Sequence, residues 1–243
     1  LMYAAGGLTI WRVVFSYAIA NVLAASLAFG YTARLFPGGW VVRWELLKDL
    51  VTDGLKLHAG IIGTIIFLKI DQLMLAQYRG ASSVGLYTVS VSYAELLLIV
   101  PAAIQNVFYG KISRMLSEKI DLVPGTLLVY RHNAYLLFFS SLALASLAYP
   151  TIFLFYGRSF MASTSLFFIL LPGIFFLYLN NILTNFLVAT RNFWVVSLVS
   201  IGAALINVLL NMFFIPRWGA VGAAFSSCLT YFVVGTSYII VFM

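Results

Sequence analysis

Seven long apolar stretches, each about the length of a helix that crosses a membrane, constrain this sequence more than any other feature. About 20 mainly apolar residues form a helix that spans the hydrocarbon core of a bilayer. Charged residues, or Gly and Pro, separate neighbouring stretches. The predicted spans cover residues 9–29, 55–78, 83–108, 133–156, 164–189, 193–215 and 219–243. The sequence therefore predicts an all-α fold, a polytopic membrane helix bundle of about seven transmembrane helices.

The composition fits a chain that lies in lipid, and it excludes several kinds of chemistry. Hydrophobic residues make up 63% of the chain and charged residues 9%, with a mean hydropathy of +1.04, whereas soluble domains are about 25% charged. The single cysteine, Cys228, has no partner in the sequence for a disulfide. No Gly-rich phosphate loop, Cys/His metal spacing or hydrolase elbow is present. We therefore predict no catalytic residue, no metal site and no cofactor, apart from a coupling ion such as Na⁺ or H⁺.

The positive charge of the chain predicts its orientation in the membrane. The two longest connections, residues 30–54 and 109–132, carry seven of the 14 basic residues, and connections rich in basic residues stay on the cytoplasmic side. We expect a multi-pass protein of the cytoplasmic (inner) membrane whose C-terminus is cytoplasmic. The net charge of +7 then reflects topology and attraction to membrane lipid, not nucleic-acid binding. Residues 111–120 have the apolar spacing of a helix on the membrane surface, or they form a plain connector.

Glu95 lies near the centre of the third predicted span. An ionisable group at mid-membrane costs about 2.5–3.5 kcal/mol on insertion scales, so it indicates function by default. Pro101 follows six residues later and removes a helical hydrogen bond, which frees the carbonyl of Leu97. We predict that Glu95 couples an ion and that Pro101 is a hinge. The alternative for Glu95 is a protonated side chain that only hydrogen-bonds to a neighbouring helix.

The second predicted span carries Lys69 and Asp71. Residues two apart point about 200° away from each other around a helix, so these two cannot share a face. Lys69 is predicted to hold anionic substrate groups in a cavity, and His58 lies on the same stripe nearer the cytoplasmic end. Asp71 is predicted to carry a coupled cation or proton. The alternatives are a pairing of Asp71 with a basic residue of another helix and a structural interface role for His58.

Two asparagines of the fifth span, Asn181 and Asn185, lie one helical turn apart and are predicted to face the substrate cavity. Asn207 and Asn211 form a similar pair on the sixth span. Amides in a bilayer also hydrogen-bond across helices at about 0.6–2 kcal/mol each. Helix packing is therefore the plainer interpretation of all four.

Two runs of sequence, about 130 residues apart, carry a family resemblance. The first is Lys69-Ile70-Asp71-Gln72-Leu73-Met74-Leu75, followed by Gly80, Val84-Gly85-Leu86-Tyr87, Ala94-Glu95-Leu96, Pro101 and Ile104. The second is the stretch NVLLNMFFIPRWGAVGAA at residues 207–224. Taken in this order, they resemble the polysaccharide (O-antigen type) flippases. These belong to the superfamily that also holds the MATE drug exporters and the lipid II flippases.

The resemblance implies a transporter of twelve to fourteen helices, built from two six-helix lobes around a central cavity. Residues 1–54 would then be the last helix of the first lobe plus a cytoplasmic linker between the lobes. Residues 55–243 would be the six-helix C-terminal lobe. The sequence opens inside hydrophobic residues, at Leu1-Met2-Tyr3-Ala4, and has an odd number of spans. We therefore expect the missing N-terminal lobe of the same protein as a partner.

The resemblance also implies a function. Such a flippase moves undecaprenyl-diphosphate-linked oligosaccharide across the membrane by alternating access, for polysaccharide or O-antigen biosynthesis. Lys69 and His58 would bind the pyrophosphate, Asp71 or Glu95 would carry the coupled ion, and the prenyl tail would stay in the membrane lipid. Two alternatives are a MATE-type drug or cation exporter and a membrane-embedded enzyme of cell-wall biosynthesis.

Overall fold

A computed structural model describes residues 10–35 and 43–243. These residues form α1 (Ile10–Leu35), α2 (Trp44–Glu95), α3 (Ile99–Ser117), α4 (Leu122–Tyr156), α5 (Ala162–Leu179), α6 (Asn181–Ala189), α7 (Phe193–Trp218) and α8 (Ala220–Phe242), with short 3₁₀ turns at Leu96–Leu98 and Arg158–Phe160. No strand occurs within the two described ranges, so the prediction of an all-α fold is confirmed. The predicted start of the first span at Thr9, and the opening residues 1–4, lie outside them.

Helix α2 consists of two helical arms that meet in a turn at Gly80. Gly80 has φ 77° and ψ 177°, a backbone conformation that is essentially restricted to glycine. Two contacts across the turn show that the chain reverses there. The Tyr87 hydroxyl donates a hydrogen bond to Asp71, and Lys69 Nζ lies 3.4 Å from Glu95 Oε1. We call residues 44–79 the first arm of α2 and residues 81–95 its second arm. The 3₁₀ turn at Leu96–Leu98 and α3 continue the second arm.

Six helical segments of the described chain are long and apolar enough to cross a membrane. The second of them, Trp44–Ser117, is 74 residues long and contains the hairpin, so it accommodates the second and third predicted spans together. The other five correspond to the remaining predicted spans. The protein is therefore a multi-pass membrane protein built as an all-α helix bundle.

The two connections that were predicted to be long are largely helical. Helix α1 continues to Leu35 and α2 begins at Trp44, while α3 continues to Ser117 and α4 begins at Leu122. Residues 111–117 therefore extend α3. The prediction of a separate surface helix over residues 111–120 is wrong. The physical reason is that Ile112 packs in the bundle with only 2% of its surface exposed, and an Arg114–Glu118 pair at 2.8 Å supports the last turn.

The predicted fifth span is also divided, because α5 ends at Leu179 and α6 begins at Asn181. The Asn180 amide nitrogen donates to the carbonyl of Phe176 at 2.8 Å at this junction. A side chain that bonds to the preceding turn competes with the regular helical pattern.

The chain forms two compact units, with a boundary between Lys48 and Asp49. The first contains α1, a single apolar helix. The second, from Asp49 onwards, holds the remaining helices around one apolar core, in which Tyr93 packs edge-on against Phe167 with ring centroids 4.9 Å apart. The predicted division between residues 54 and 55, which concerns the two lobes of a transporter, stays a prediction.

The larger unit has two ends, which we name after one residue each. At the Gly80 end the chain reverses at Gly80, Gly157 and Gly219, each with a positive φ. At the Asp53 end, Asp53 accepts a hydrogen bond from Arg191, which lies in the connection between α6 and α7. This bond raises the pKa of the Arg191 guanidinium above its ordinary value. The two ends therefore mark the opposite faces of the membrane-crossing bundle.

Helix α8 lies between α5 and α7 and packs closely on both. A Cβ atom added to Gly173 of α5 would stand 2.7 Å from the Cα of Cys228 in α8, which is closer than real atoms approach. Small residues at such a contact let two helix backbones come together inside a membrane bundle. This packing fixes the positions of the polar residues that α8 contributes to the interior.

Candidate functional site

A cavity of about 360 Å³ lies in the larger unit, between both arms of α2 and helices α5 to α8. Most of its lining surface is apolar, but we call it the polar cavity because seven of its twelve lining residues carry polar groups. Its polar lining consists of hydroxyl, amide and carboxylate side chains from Thr64, Glu95, Tyr178, Asn181, Thr184, Ser200 and Tyr238. The apolar remainder is Phe67, Leu68, Leu98, Leu177 and Val234. Several of these polar residues, among them Thr64, Glu95 and Ser200, lie inside predicted spans of the sequence.

Lys69 and Glu95 form an ion pair beside this cavity. Lys69 Nζ lies 3.4 Å from Glu95 Oε1, and Glu95 itself lines the cavity. The side chains are 51% and 44% exposed, although both residues belong to membrane-crossing segments. Charges in such segments face the interior of the bundle or a water-filled cavity, because lipid cannot solvate them. The pair is therefore placed to meet a polar molecule within the membrane.

Asn181 and Asn185 have different surroundings. Asn181 lines the polar cavity, and its role in substrate binding stays a prediction. Asn185 lies one turn further along α6 and is buried, and its Nδ2 atom has no hydrogen-bond acceptor among the described residues. Between the first arm of α2 and α7, Thr64 Oγ1 donates to Ser200 Oγ at 3.1 Å and closes one wall of the cavity. Amide and hydroxyl groups in this arrangement can bind the hydroxyl groups of a sugar.

Asp71 lies apart from the polar cavity in a buried cluster of its own. Its side chain is 1% exposed, and its Oδ2 atom accepts hydrogen bonds from the hydroxyls of Tyr87 and Ser227, the latter at 2.9 Å. The two hydroxyl oxygens lie 3.1 Å from each other, and Asp71 Oδ1 accepts from the Gln72 backbone at 2.7 Å. The cluster joins both arms of α2 to α8. Among the residues that the structure describes, no lysine or arginine forms an ion pair with Asp71.

A chain of buried polar groups continues along α8 from this cluster. Thr230, one turn beyond Ser227, accepts a hydrogen bond from Asn207 Nδ2 at 3.2 Å. Asn207 Oδ1 accepts in turn from Asn211 Nδ2 at 2.8 Å. The Asn211 side chain is fully buried, and its Oδ1 atom has no donor among the described residues. Carboxylate, amide and hydroxyl oxygens are the ligands that hard cations prefer.

Two predicted residues lie elsewhere. His58 is exposed on the first arm of α2, towards the Asp53 end, and it does not line the polar cavity. Pro101 is buried, directly after the 3₁₀ turn at Leu96–Leu98. The irregular turn is the expected effect of a proline, because its missing N–H leaves the preceding carbonyls without their helical partner. The hinge at Pro101 and the role of His58 stay predictions.

The sequence interpretation missed several residues of these sites. Tyr178 and Tyr238 line the polar cavity, and Tyr87 and Ser227 bind Asp71. A signal for Tyr87 exists in the sequence, because residues at similar distances from a turn pair across a hairpin, and Gly80 lies nine residues after Asp71 and seven before Tyr87. No comparable signal identifies Tyr178 or Tyr238, since tyrosines are also frequent at membrane interfaces.

Comparisons with known proteins agree with this architecture. A family model described as "Polysaccharide biosynthesis protein" matches residues 1–165. No curated protein sequence matches the chain. Two solved structures share its fold at 17% identity and a TM-score of 0.62, each over 79% of this chain. One is a MOP superfamily transporter from Pyrococcus furiosus Vc1 (DSM3638), described as having a binding pocket of reverse polarity, and the other is an outward-facing multidrug resistance MATE family transporter.

The chain spans 43% and 44% of the length of these two transporters, so it is similar to less than half of each. At 17% identity the similarity to these structures shows the fold. This fold agrees with the resemblance of the sequence to the superfamily of flippases and MATE exporters. The family model covers more than half of the chain. The chain therefore belongs to the polysaccharide biosynthesis protein family, and its fold is that of the MOP superfamily of membrane transporters.

Proposed function

We propose that this chain is the C-terminal lobe of a flippase that moves undecaprenyl-diphosphate-linked oligosaccharide across the cytoplasmic membrane. The observation that carries the proposal is the Lys69–Glu95 pair, which is half exposed beside a polar cavity inside membrane-crossing helices. Family membership supports a role in polysaccharide biosynthesis. No chemical step is assigned to the chain.

Each part of the substrate has a matching feature in this lobe. The ammonium group of Lys69 attracts the diphosphate as a point charge, and it leaves Glu95 for the phosphate when the substrate enters. The amide of Asn181 and the hydroxyls of Thr184 and Tyr238 offer donors and acceptors to sugar hydroxyls. The prenyl tail stays in the surrounding lipid, so only the polar headgroup passes through the cavity. His58 would provide a further hydrogen-bond donor to the diphosphate during entry.

A coupled cation or proton would bind at Asp71 or at Glu95. Asp71 is the better candidate, because it lies among hydroxyl oxygens and not beside an ammonium group. The buried chain of Thr230, Asn207 and Asn211 offers further oxygens along α8. Glu95 is engaged by Lys69, so its protonation is more directly linked to substrate binding.

Alternating access requires a second lobe, which would come from the N-terminal part of the same protein. The lobe described here would rock against it, with the irregular helix at Pro101 as a hinge. The cytoplasmic side would be the Asp53 end. Basic residues of the larger unit that lie towards this end are Lys56, Lys111, Arg114, Lys119, Arg131 and Arg191, against Arg79, Arg158 and Arg217 at the Gly80 end. This excess predicts a cytoplasmic C-terminus.

A drug or organic-cation exporter is the second candidate. It is favoured by one observation, since the carboxylate of Glu95 lines the polar cavity whereas Lys69 only borders it through its contact with Glu95. An acidic lining attracts cations.

The two candidates are separated by a translocation assay with the complete transporter that contains this chain. Proteoliposomes receive either a fluorescent undecaprenyl-diphosphate oligosaccharide or the cationic dye ethidium. The flippase proposal expects the lipid-linked oligosaccharide to move to the opposite leaflet and the dye to stay outside. Transport of the dye without movement of the oligosaccharide would contradict it and support the exporter.

A further inference from the structure

The Gly80 end of the bundle carries unbalanced positive charge. Arg79, Arg158 and Arg217 lie in its three chain reversals. The sequence around these reversals, residues 77–83, 156–164 and 214–221, contains no Asp or Glu. Basic residues on the face opposite the cytoplasmic one are disfavoured by the positive-inside rule. Their presence here therefore calls for a local physical reason.

Two of the three arginines share one cavity. A cavity of about 480 Å³ is lined by both Arg79 and Arg217. Its other polar side chains are Ser83 and Ser165, and no acidic side chain lines it. The first residues of α5 and α8, Ala162 and Ala220, also face it. The N-terminal ends of α5 and α8 therefore contribute positive dipole ends to the cavity, while the C-terminal end of α7, at Arg217 and Trp218, contributes a negative one.

The structure shows how Arg79 is held at this cavity. The stem of Arg79 packs against Gly219, which has φ 58°, and its carbons lie 3.6–3.8 Å from the position that a Cβ would occupy, an ordinary packing distance. The Arg79 Nη2 atom donates to the carbonyl of Pro216 at 2.6 Å. This bond caps the C-terminal end of α7, which explains in part why a basic residue stands at position 79.

Arg217 is also held near the C-terminal end of α7. Its Nη1 atom donates to the carbonyl of Phe213 at 2.7 Å, and its guanidinium carbon lies 3.9 Å from the centre of the Phe213 ring. Stacking on an aromatic ring holds the guanidinium plane in place. A guanidinium has five N–H donors, and in both arginines the bonds named here use a single nitrogen. Donors of both residues are therefore left for a ligand.

We propose that this cavity, the arginine cup, binds the phosphate or diphosphate headgroup of a membrane lipid. Guanidinium groups match the geometry of phosphate and carboxylate oxygens, and of these two groups phosphate is the one that membrane-lipid headgroups carry most often. The cup lies at the helix ends, where the headgroups of a bilayer are found, and Trp218 on its rim is a residue type of that interface. The inference goes beyond the proposed function, because any lipid phosphate would bind, whichever molecule the cavity between the helices transports.

Lipid binding to the complete transporter in detergent tests the proposal. Native mass spectrometry follows titrations with phosphatidylglycerol and with undecaprenyl diphosphate, and inorganic phosphate is added as a competitor. The double variant Arg79→Gln/Arg217→Gln is expected to bind both lipids at least about tenfold more weakly, because charge-assisted hydrogen bonds are lost. Competition by millimolar inorganic phosphate would show a site for free phosphate and overturn the assignment to lipid.

Two further variants keep the test interpretable. Arg158→Gln removes the same charge at the same end, but Arg158 lines a separate cavity with Tyr149, Phe153 and Met161, so binding should stay within about twofold of the unchanged protein. Arg217→Gln leaves the bond from Arg79 to α7 in place and should weaken binding by itself. Unchanged binding in Arg217→Gln and in the double variant, or an equal loss in Arg158→Gln, would overturn the proposal.

Discussion

Lys69 and Glu95 are 26 positions apart in the sequence, on opposite arms of one helical hairpin, and their charged groups lie 3.4 Å apart beside a polar cavity. The turn at Gly80 brings them together. About half of each side chain is exposed within segments that otherwise face lipid or protein. An ion pair in this position has little to do with holding the bundle together, and it is available to a ligand.

Removal of either charge of this pair should barely change the stability of the protein. Lys69→Gln and Glu95→Gln should each alter the free energy of unfolding by no more than about 1 kcal/mol, because half-exposed ion pairs contribute about 0–1 kcal/mol. Thermal unfolding of the detergent-solubilised protein measures the effect. A large drop in the unfolding midpoint for either variant would show that the pair is structural.

The cluster at Asp71 should behave in the opposite way. Asp71→Ala removes the acceptor that the buried hydroxyls of Tyr87 and Ser227 share, and only one of these hydroxyls can then donate to the other. A buried donor left without an acceptor costs about 1–3 kcal/mol, so we expect a loss of stability in that range. The same unfolding experiment measures it, with Glu118→Ala as the control at an exposed carboxylate. Equal midpoints for the two variants would contradict the described cluster.

Asp71→Asn tests the proposed coupling separately from stability. The amide keeps the shape of the side chain and one acceptor oxygen, but it cannot carry a negative charge. In proteoliposomes with the complete transporter, transport by this variant should no longer depend on a Na⁺ or a pH gradient. If the dependence on both gradients is unchanged, Asp71 does not bind the coupled ion, and Glu95→Gln becomes the next variant to measure.

Gly80 offers a test of the hairpin itself. No atom lies within 4 Å of a Cβ placed on Gly80, so Gly80→Ala causes no clash and acts only through its φ of 77°. Such strain costs about 1–3 kcal/mol. Gly202 of α7 has equally open surroundings and lies inside a regular helix, so Gly202→Ala should raise stability by up to about 1 kcal/mol. Thermal unfolding midpoints that shift in the same direction for both variants would contradict the turn.

The sequence predicts the helices well because the length of an apolar stretch is a local property. Apolar length does not predict where the helices end. Residues 111–117 read as a connection because they are charged, yet they continue α3, since Ile112 is buried and Arg114 pairs with Glu118. A helix can leave the membrane without ending, and hydropathy alone does not distinguish the two cases.

The candidate site could be predicted only in part. Ionisable and amide residues within a span are visible in the sequence, which identifies Lys69, Glu95 and Asn181. Their partners depend on how the helices pack, and this is not a local property. Asp71 illustrates the difference, because the sequence allows a bond to a basic residue, whereas the fold places Tyr87 and Ser227 beside it. Tyr238 was missed for the same reason, since only the packing of α8 turns it towards the cavity.

The most direct test of the account is the rate at which the complete transporter moves undecaprenyl-diphosphate oligosaccharide when Lys69 is replaced. We predict that Lys69→Gln lowers this rate by at least about tenfold, because a charge-assisted contact to the diphosphate contributes about 1.5–3 kcal/mol. Lys56→Gln, which removes an ion-paired lysine from the same arm of α2 but outside the cavity, should leave it within about twofold. An unchanged rate in Lys69→Gln, or an equal loss in both variants, would contradict the account.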